Sequence, residues 1–300
     1  MEKVIVICGP TASGKTALGI EMAKEHNGEI VSADSMQIYK EMNIGTAKPN
    51  FEEMQEISHH LVDFVSPDTR YSVAEYKKDA KKIIKEIISR GKTPIVVGGT
   101  GLYIDSLVYE IEYPEIEYDE DYRRLLEETV QNEGLEKLYS KAKEIDSEAI
   151  EKISPNDQKR ILRILEIYHA TGKTKTELEK KSRKTPEYDY EIYAINWDRE
   201  ILYDRINKRV DLMIEQGLIE EVEGIIKKYR KMPTALQALG YKEVVEYLEG
   251  KLTKEEMIDK IKQETRRYAK RQLTWFRRYD NIIWINKGEE WERIKKEKTT

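Results

Sequence analysis

One cysteine, Cys8, is all this sequence offers, and a lone thiol can neither close an internal disulfide nor build a cysteine-rich zinc site. Its neighbours Val4-Ile5-Val6-Ile7 are apolar, which marks a buried, unreactive thiol. Histidine is scarce as well, with four in the chain. His59 and His60 are adjacent, and adjacent side chains diverge on a helix or a strand; His26 and His169 lie far away in sequence. A histidine zinc site is therefore not expected. No apolar run approaches the length of a membrane span, so no membrane association is expected. Met1-Glu2-Lys3 leads straight into an apolar run without the layout of a signal peptide, which points to a reducing cytoplasm. Excess positive charge is missing too. A formal net charge of -5 argues against a protein that coats nucleic acid, yet leaves room for a local basic surface. No internal repeat is present.

What the chain does have begins at Gly9-Pro10-Thr11-Ala12-Ser13-Gly14-Lys15-Thr16. The spacing fits G-x-x-x-x-G-K-[ST] without mismatch. Val4 to Cys8 before it reads as a strand, and Ala17 to His26 after it as an amphipathic helix. Glycines let successive backbone N–H groups turn inward on phosphate oxygens, and a helix opening near Gly14 adds the positive end of its dipole. Lys15 brings a point charge, and Thr16 a hydroxyl for a bridging Mg²⁺. The motif implies a diphosphate or triphosphate with its metal, without saying which.

Strand and helix signals alternate from there. Glu29 to Ser32 reads as a strand ending at Asp34-Ser35-Met36-Gln37. Residues just past a strand's C-terminal end line the crevice of an open α/β sheet, so Asp34 either faces the loop or caps a following helix. Ser72-Val73-Ala74-Glu75 is a capping box opening a helix that Gly91 stops. Pro94 to Val97 is a buried strand, followed by a second glycine turn, Gly98 to Tyr103. This alternation predicts a parallel, doubly wound α/β sheet.

The pattern changes over 110–187, which carries little strand signal. Tyr113-Pro114 breaks the chain. Helices are expected over 121–131, 135–143, 147–153 and 157–171, with Gly134 and Gly172 as stops. Gly172 to Pro186, rich in lysine, threonine and serine, reads as a mobile surface segment. We expect 1–109 and 188–300 to form the core and 110–187 a helical insertion. After the insertion, Tyr190 to Ile195 reads as a strand and Asp198 to Gln216 as a helix; Leu236 to Leu248 is expected helical with Gly240 inside it. Thr253-Lys254-Glu255-Glu256 caps a helix running to about Arg278, and Ile282 to Ile285 is a last strand.

Thr265 to Arg278 holds six positive charges and no negative one. Arginines and lysines set among Tyr268, Trp275 and Phe276 suit phosphate contacts and base stacking. The competing reading is a basic helix end that complements its own dipole, which accounts for Arg277 and Arg278 better than for Arg266 to Arg271. Gln158 to Arg163 is a second basic cluster, which alone reads as a solvated helix face.

Taken together, Gly-Pro-Thr-Ala-Ser-Gly-Lys-Thr at 9–16, Asp-Ser-Met-Gln-Ile-Tyr-Lys at 34–40, Asn-Ile-Gly-Thr-Ala-Lys-Pro at 43–49 and His-His-Leu-Val-Asp at 59–63 resemble the bacterial tRNA dimethylallyltransferases, also called tRNA isopentenyltransferases. Val-Gly-Gly-Thr-Gly-Leu-Tyr at 97–103, Pro-Asn-Asp-Gln-Lys-Arg at 155–160, Leu-Gly-Tyr-Lys-Glu at 239–243 and Lys-Arg-Gln-Leu-Thr-Trp-Phe-Arg at 270–277 extend the likeness over nearly the whole chain. The zinc finger of the eukaryotic relatives is missing.

The resemblance implies a P-loop kinase-like core with a helical insertion closing over a tRNA anticodon stem-loop. It implies transfer of a dimethylallyl group from dimethylallyl diphosphate to N6 of the adenine 3′ of the anticodon, in tRNAs reading codons that start with U. By the same resemblance, Gly9, Pro10, Thr11, Ala12, Ser13, Gly14, Lys15 and Thr16 hold the diphosphate, with Mg²⁺ on Thr16. Asp34 is the general base, Arg205 a diphosphate-binding arginine, and Thr100 lines the same channel. Asp34, Ser35, Met36, Gln37, Thr100, Arg123, Gln158, Lys159, Arg160, Ile161 and Leu162 fall at tRNA-contacting positions. So do Gln237, Gly240, Tyr241, Lys242, Lys270, Arg271, Gln272, Trp275 and Arg277. A monomer is expected. The rival readings are a small-molecule kinase, a prenyltransferase acting on free adenosine phosphates, and an RNA-binding protein whose loop senses a nucleotide.

Overall fold

The computed structural model describes residues 1–113 and 119–286. The break expected at Pro114 and the tail beyond residue 286 lie outside the described residues. Among the described residues six strands form one sheet: β1 (Lys3–Cys8), β2 (Gly28–Ser32), β3 (His59–His60), β4 (Thr93–Val97), β5 (Asp189–Asn196) and β6 (Ile282–Asn286). Their order is β3-β2-β4-β1-β5-β6, and every pairing is parallel. β1 thus has β4 on one side and β5 on the other. The chain leaves β1 towards β2 and later arrives on β1's opposite flank, so the loop after β1 sits where the strand order reverses and α/β sheets bind ligands.

Two-residue periodicity places the core. Ile5 and Ile7 of β1 join Ile30, Ile95, Val97, Tyr193 and Ile195 under helix α1 (Lys15–Glu25), which contributes Leu18, Met22 and Ala23 to the same buried layer. After the single turn α2 (Phe51–Met54), helix α3 (Val73–Ser89) packs on β2 and β4 through buried Tyr76, Ala80, Ile84 and Ile87. Its start is the expected capping box: Ser72 accepts from Glu75 N–H, and Glu75 accepts from Ser72 N–H. Helix α4 (Gly101–Val108) opens directly from the second glycine turn.

The chain divides into two compact units, one of Met1–Val108 with the chain from Pro186 onward, the other Tyr109–Thr185. The second holds α5 (Glu120–Glu133), α6 (Leu135–Ile145), α7 (Ser147–Ile150), α8 (Gln158–Thr171) and α9 (Lys175–Ser182). Leu126, Leu138, Ala142, Ile150, Ile161, Leu162 and Leu165 form its buried core. Helix α9 corrects the expectation of a mobile segment over 172–186. Thr174 and Glu177 make a capping box, a local signal that outweighs the polar composition.

The first unit resumes with α10 (Arg199–Glu215), α11 (Leu218–Lys228), α12 (Tyr241–Leu248) and α13 (Lys254–Phe276). Helix α11 goes unread in the sequence although Leu218, Val222 and Ile225 recur at helical spacing and are buried. The expected helix over 236–248 is also corrected. A 3₁₀ turn at Ala235–Gln237 is followed by Gly240 at φ +91°, outside the helical region, and α12 starts only after it.

His60 Nε2 lies 2.7 Å from a carboxylate oxygen of Glu29. Glu29 is buried, and also pairs with Arg90 and Lys92. Burial disfavours its charge, but the hydrogen bonds from His60, Lys92 and Arg90 outweigh that and hold its pKa at about 2.

Candidate functional site

The loop after β1 bends through three residues at positive φ, Gly9 at 141°, Ala12 at 61° and Gly14 at 93°. Glycine adopts this without cost, whereas alanine is strained there and must be held in place by its surroundings. Three contacts supply the hold. Arg205 Nε donates to Ala12 O at 2.8 Å, Trp197 Nε1 donates to Ser13 O at 2.9 Å, and Thr11 N–H donates to Gln272 Oε1 at 2.8 Å. The Arg205 guanidinium also lies over the Trp197 ring, 4.7 Å from its centroid. Ser13 Oγ is buried and has no hydrogen-bond partner among the described residues, an orphaned polar atom inside the loop.

Lys15 opens α1 and folds its ammonium back to Pro10 O at 2.7 Å. Burial, helped by the like charge of Arg209 and opposed by Asp34, lowers its pKa to about 8. Arg209 sits one turn beyond Arg205 on α10. Its guanidinium is itself held below its ordinary value by burial, against the attraction of Asp34 and Glu53. Arg209 is a site residue that the sequence reading missed. The available signal was its i+4 spacing from Arg205, which places both on one helix face.

Asp34 follows β2. Its Oδ1 accepts from Met36 N–H at 2.9 Å and Gln37 N–H at 3.3 Å. The residues directly after it form turns and not a helix, so the capping alternative is realised only as a turn, and Oδ2 takes no protein donor among the described residues. Across from it, Ser35 N–H donates to Thr100 Oγ1 at 3.0 Å, and Thr100 N–H to Ala33 O at 3.1 Å. Gly98 makes this juxtaposition possible, because a Cβ there would lie 2.7 Å from Ala33 Cα. The Tyr268 side chain joins the same group, near enough to Asp34, Thr100 and Gln272 for each to bear on its hydroxyl. Burial raises its pKa above the ordinary value, and the nearby Asp34 charge adds to that. Buried Cys8 lies beneath, its thiol pushed up by burial.

The fold therefore gathers the loop, Asp34, Thr100 and Arg205 at one edge of the sheet and adds Arg209, Tyr268 and Gln272. Other expected contact residues take different places. The Gln37 amide donates inward to Thr46 O and Ala47 O, both at 3.1 Å. Tyr241 is fully buried with its hydroxyl on Glu221, and Gly240 gives its N–H to Glu243. Gln237 ends the 3₁₀ turn, and Lys242 lies 3.3 Å from Glu243. Trp275 Nε1 donates to Asp105 at 3.2 Å, and its ring is covered by Arg278, which leaves it little room to stack on a base. Lys270, Arg271 and Arg277 are exposed along the outer face of α13.

In the unit Tyr109–Thr185, Arg123, Gln158 and Lys159 line one open cleft with Glu127, Ser154, Asn156 and Asp157. Arg123 is paired there with Glu127 and Glu166. Arg160 is exposed beside Asp157. Ile161 and Leu162 have no exposure at all, so the expectation that they meet RNA is corrected: the apolar face of α8 turns them into the core.

Residues 37–279 match the family described as IPP transferase. The chain is 53% identical to a tRNA dimethylallyltransferase of Thermoanaerobacter sp. (strain X514), over 98% of this chain and 95% of that one. It superposes on the full-length tRNA isopentenylpyrophosphate transferase of Bacillus halodurans at TM-score 0.74 and 41% identity, covering 100% of this chain and 95% of that one. A eukaryotic dimethylallyltransferase acting on tRNA matches at TM-score 0.80 and 31% identity, over 96% and 75% of the two chains. With a family match over most of its length and relatives of this similarity, the chain belongs to the tRNA dimethylallyltransferases.

Proposed function

We propose that the protein transfers the dimethylallyl group of dimethylallyl diphosphate to N6 of the adenine 3′ of the anticodon, in tRNAs whose codons start with U. The products are N6-dimethylallyladenosine and diphosphate. The observation that carries this reading is a phosphate loop and a partly free carboxylate, Asp34, held around one space with two arginines.

The exocyclic amine of adenine is a poor nucleophile because its lone pair is delocalised into the ring. Asp34 accepts its proton as the C–N bond forms. Two backbone N–H groups fix Oδ1, so Oδ2 is presented in a set direction. As the allylic C–O bond breaks, the electron pair leaves with the diphosphate. Lys15, the loop N–H groups and the α1 N-terminus take up its charge, with Arg209 and Arg205 behind them. Thr100 and Tyr268 stand near Asp34, where a flat base can be held once unstacked.

Mg²⁺ fits this donor set. Thr16 offers a hard oxygen in the first turn of α1, the orphaned Ser13 hydroxyl is close by in sequence, and Mg²⁺ takes few protein ligands when phosphates and water complete its shell. Bound through Thr16, it would supply further positive charge to the leaving diphosphate.

The basic face of α13 (Lys270, Arg271, Arg277) and the cleft of Arg123, Gln158 and Lys159 suit the tRNA phosphates. Both favour a macromolecular acceptor over a free adenosine phosphate.

The test is mass spectrometry of nucleosides from unmodified tRNA incubated with the protein, Mg²⁺ and dimethylallyl diphosphate. N6-dimethylallyladenosine is expected from wild type, and Asp34→Ala abolishes transfer while tRNA still binds. Near-normal transfer by the variant removes Asp34 from the mechanism, and label on AMP but not on tRNA reverses the choice of acceptor.

A further inference from the structure

Gln272 lies among residues expected to touch RNA, yet it is 6% exposed and both ends of its amide are used inside the protein. Oε1 accepts the Thr11 N–H of the phosphate loop at 2.8 Å, and Nε2 donates to Gly99 O of the second glycine turn at 2.9 Å. The seat is built for it, because a Cβ on Gly99 would collide with Gln272 Nε2. One amide thus ties together the two glycine turns that flank the space above β1 and β4.

The face of α13 on which it stands is consistent. Tyr268, Gln272 and Trp275 recur at spacings of four and three and turn to the segment 99–105: Gln272 bonds Gly99 O, Trp275 bonds Asp105, and the Tyr268 hydroxyl lies by Thr100. Lys270, Arg271, Thr274 and Arg277 stand on the other, exposed face. α13 is a single unbroken helix over this stretch, so a load on its outer side chains is carried rigidly to the inner ones.

We propose that Gln272 is a positioning residue that sets the phosphate loop for diphosphate and passes the docking of RNA on the outer face of α13 to that loop. The coupling half rests on the tRNA reading given above; the loop half does not. Removing Gln272 leaves the Thr11 N–H unpaired, and the strained loop is then held by the side chains of Arg205 and Trp197 and by its own Lys15 on Pro10 O. The loop then samples conformations that no longer present its N–H groups together.

The test uses the full-length protein with Gln272→Met, close in size and without the amide, and Gln272→Glu, which keeps an acceptor for Thr11. Isothermal titration with inorganic diphosphate and Mg²⁺, without RNA, should show about tenfold weaker binding for Gln272→Met, the size of one lost buried hydrogen bond, and a smaller loss for Gln272→Glu. In the transfer assay, KM for dimethylallyl diphosphate should rise by a similar factor while KM for tRNA stays within about twofold. A general loss of structure would move both constants together. Hydrogen exchange on the wild-type protein supplies a readout independent of any variant: an anticodon stem-loop RNA alone should increase protection of the peptide covering 9–16.

Unchanged diphosphate affinity in Gln272→Met overturns the positioning role. Equal loss of tRNA and diphosphate affinity overturns it in favour of a structural one. Unchanged exchange at 9–16 on adding RNA that demonstrably binds overturns the coupling. If wild type prenylates no tRNA, the titration with inorganic diphosphate still decides the loop half, so failure of the main reading and failure of this one remain distinct.

Discussion

Lys15 carries its charge in the first turn of α1 with its ammonium on Pro10 O, and burial has drawn its pKa down to about 8. An unfolded lysine stays protonated to about 10.5. The folded protein therefore bears the cost of a buried charge below about pH 8, and that cost is relieved as pH rises from there towards 10.5. In the proposed reading diphosphate binds the charged form, so affinity should carry no Lys15 step below about pH 8 and lose at most roughly tenfold per pH unit to Lys15 above it. Titration calorimetry with inorganic diphosphate checks this against Lys15→Arg, which shares the ligand's own titration but lacks the step. Parallel pH profiles for the two proteins would show that Lys15 does not titrate in this range. At this scale the sequence is informative wherever chemistry is local: Lys15, Thr16 and Asp34 follow from a loop spacing and a strand end. Arg209 and Tyr268 are not so legible, since their role depends on which face of α10 or α13 turns inward.

The second glycine turn and α13 show what one element can require of another. Gly98 lies against the backbone of Ala33, where no flexible side chain can move aside. Gly98→Ala should therefore cost about 1–3 kcal/mol in urea denaturation and lower kcat, since Thr100 and Asp34 are displaced with it. Gly91→Ala is the control. Its φ of +70° costs about 1 kcal/mol, but no atom lies within 4 Å of the new Cβ, and catalysis should be untouched. On α13 the prediction is electrostatic. Arg271→Ala and Arg277→Ala should each weaken tRNA binding and reduce the slope of log affinity against log salt by about one, the amount expected for one lost phosphate contact. Filter binding over a salt series measures it, and unchanged slopes would assign these arginines to the helix alone. Element limits were readable where caps speak, as at Ser72–Glu75 and Thr253–Glu256. They were misread where lysine and threonine masked a capping box at Thr174–Glu177, and where Gly240 started a helix that its neighbours suggested was continuous.

Taken as a whole, the molecule keeps every group assigned to diphosphate in the unit built around the sheet, while Arg123, Gln158 and Lys159 belong to the compact unit Tyr109–Thr185. Lys159→Glu should raise KM for tRNA several-fold and leave the affinity for inorganic diphosphate unchanged, as steady-state kinetics and calorimetry can establish together. A change in diphosphate affinity would contradict that separation. The sequence by itself determined the strand–glycine loop–helix at 4–26, the parallel α/β class and the family, because each rests on short-range spacing that the backbone cannot evade. Only the tertiary structure decided what α13 does with its two faces. Thr11 and Gln272 are 261 residues apart, and nothing in either stretch announces the other. The folded sheet places β1 beside β4, their two glycine turns rise together, and a buried amide finds one partner in each.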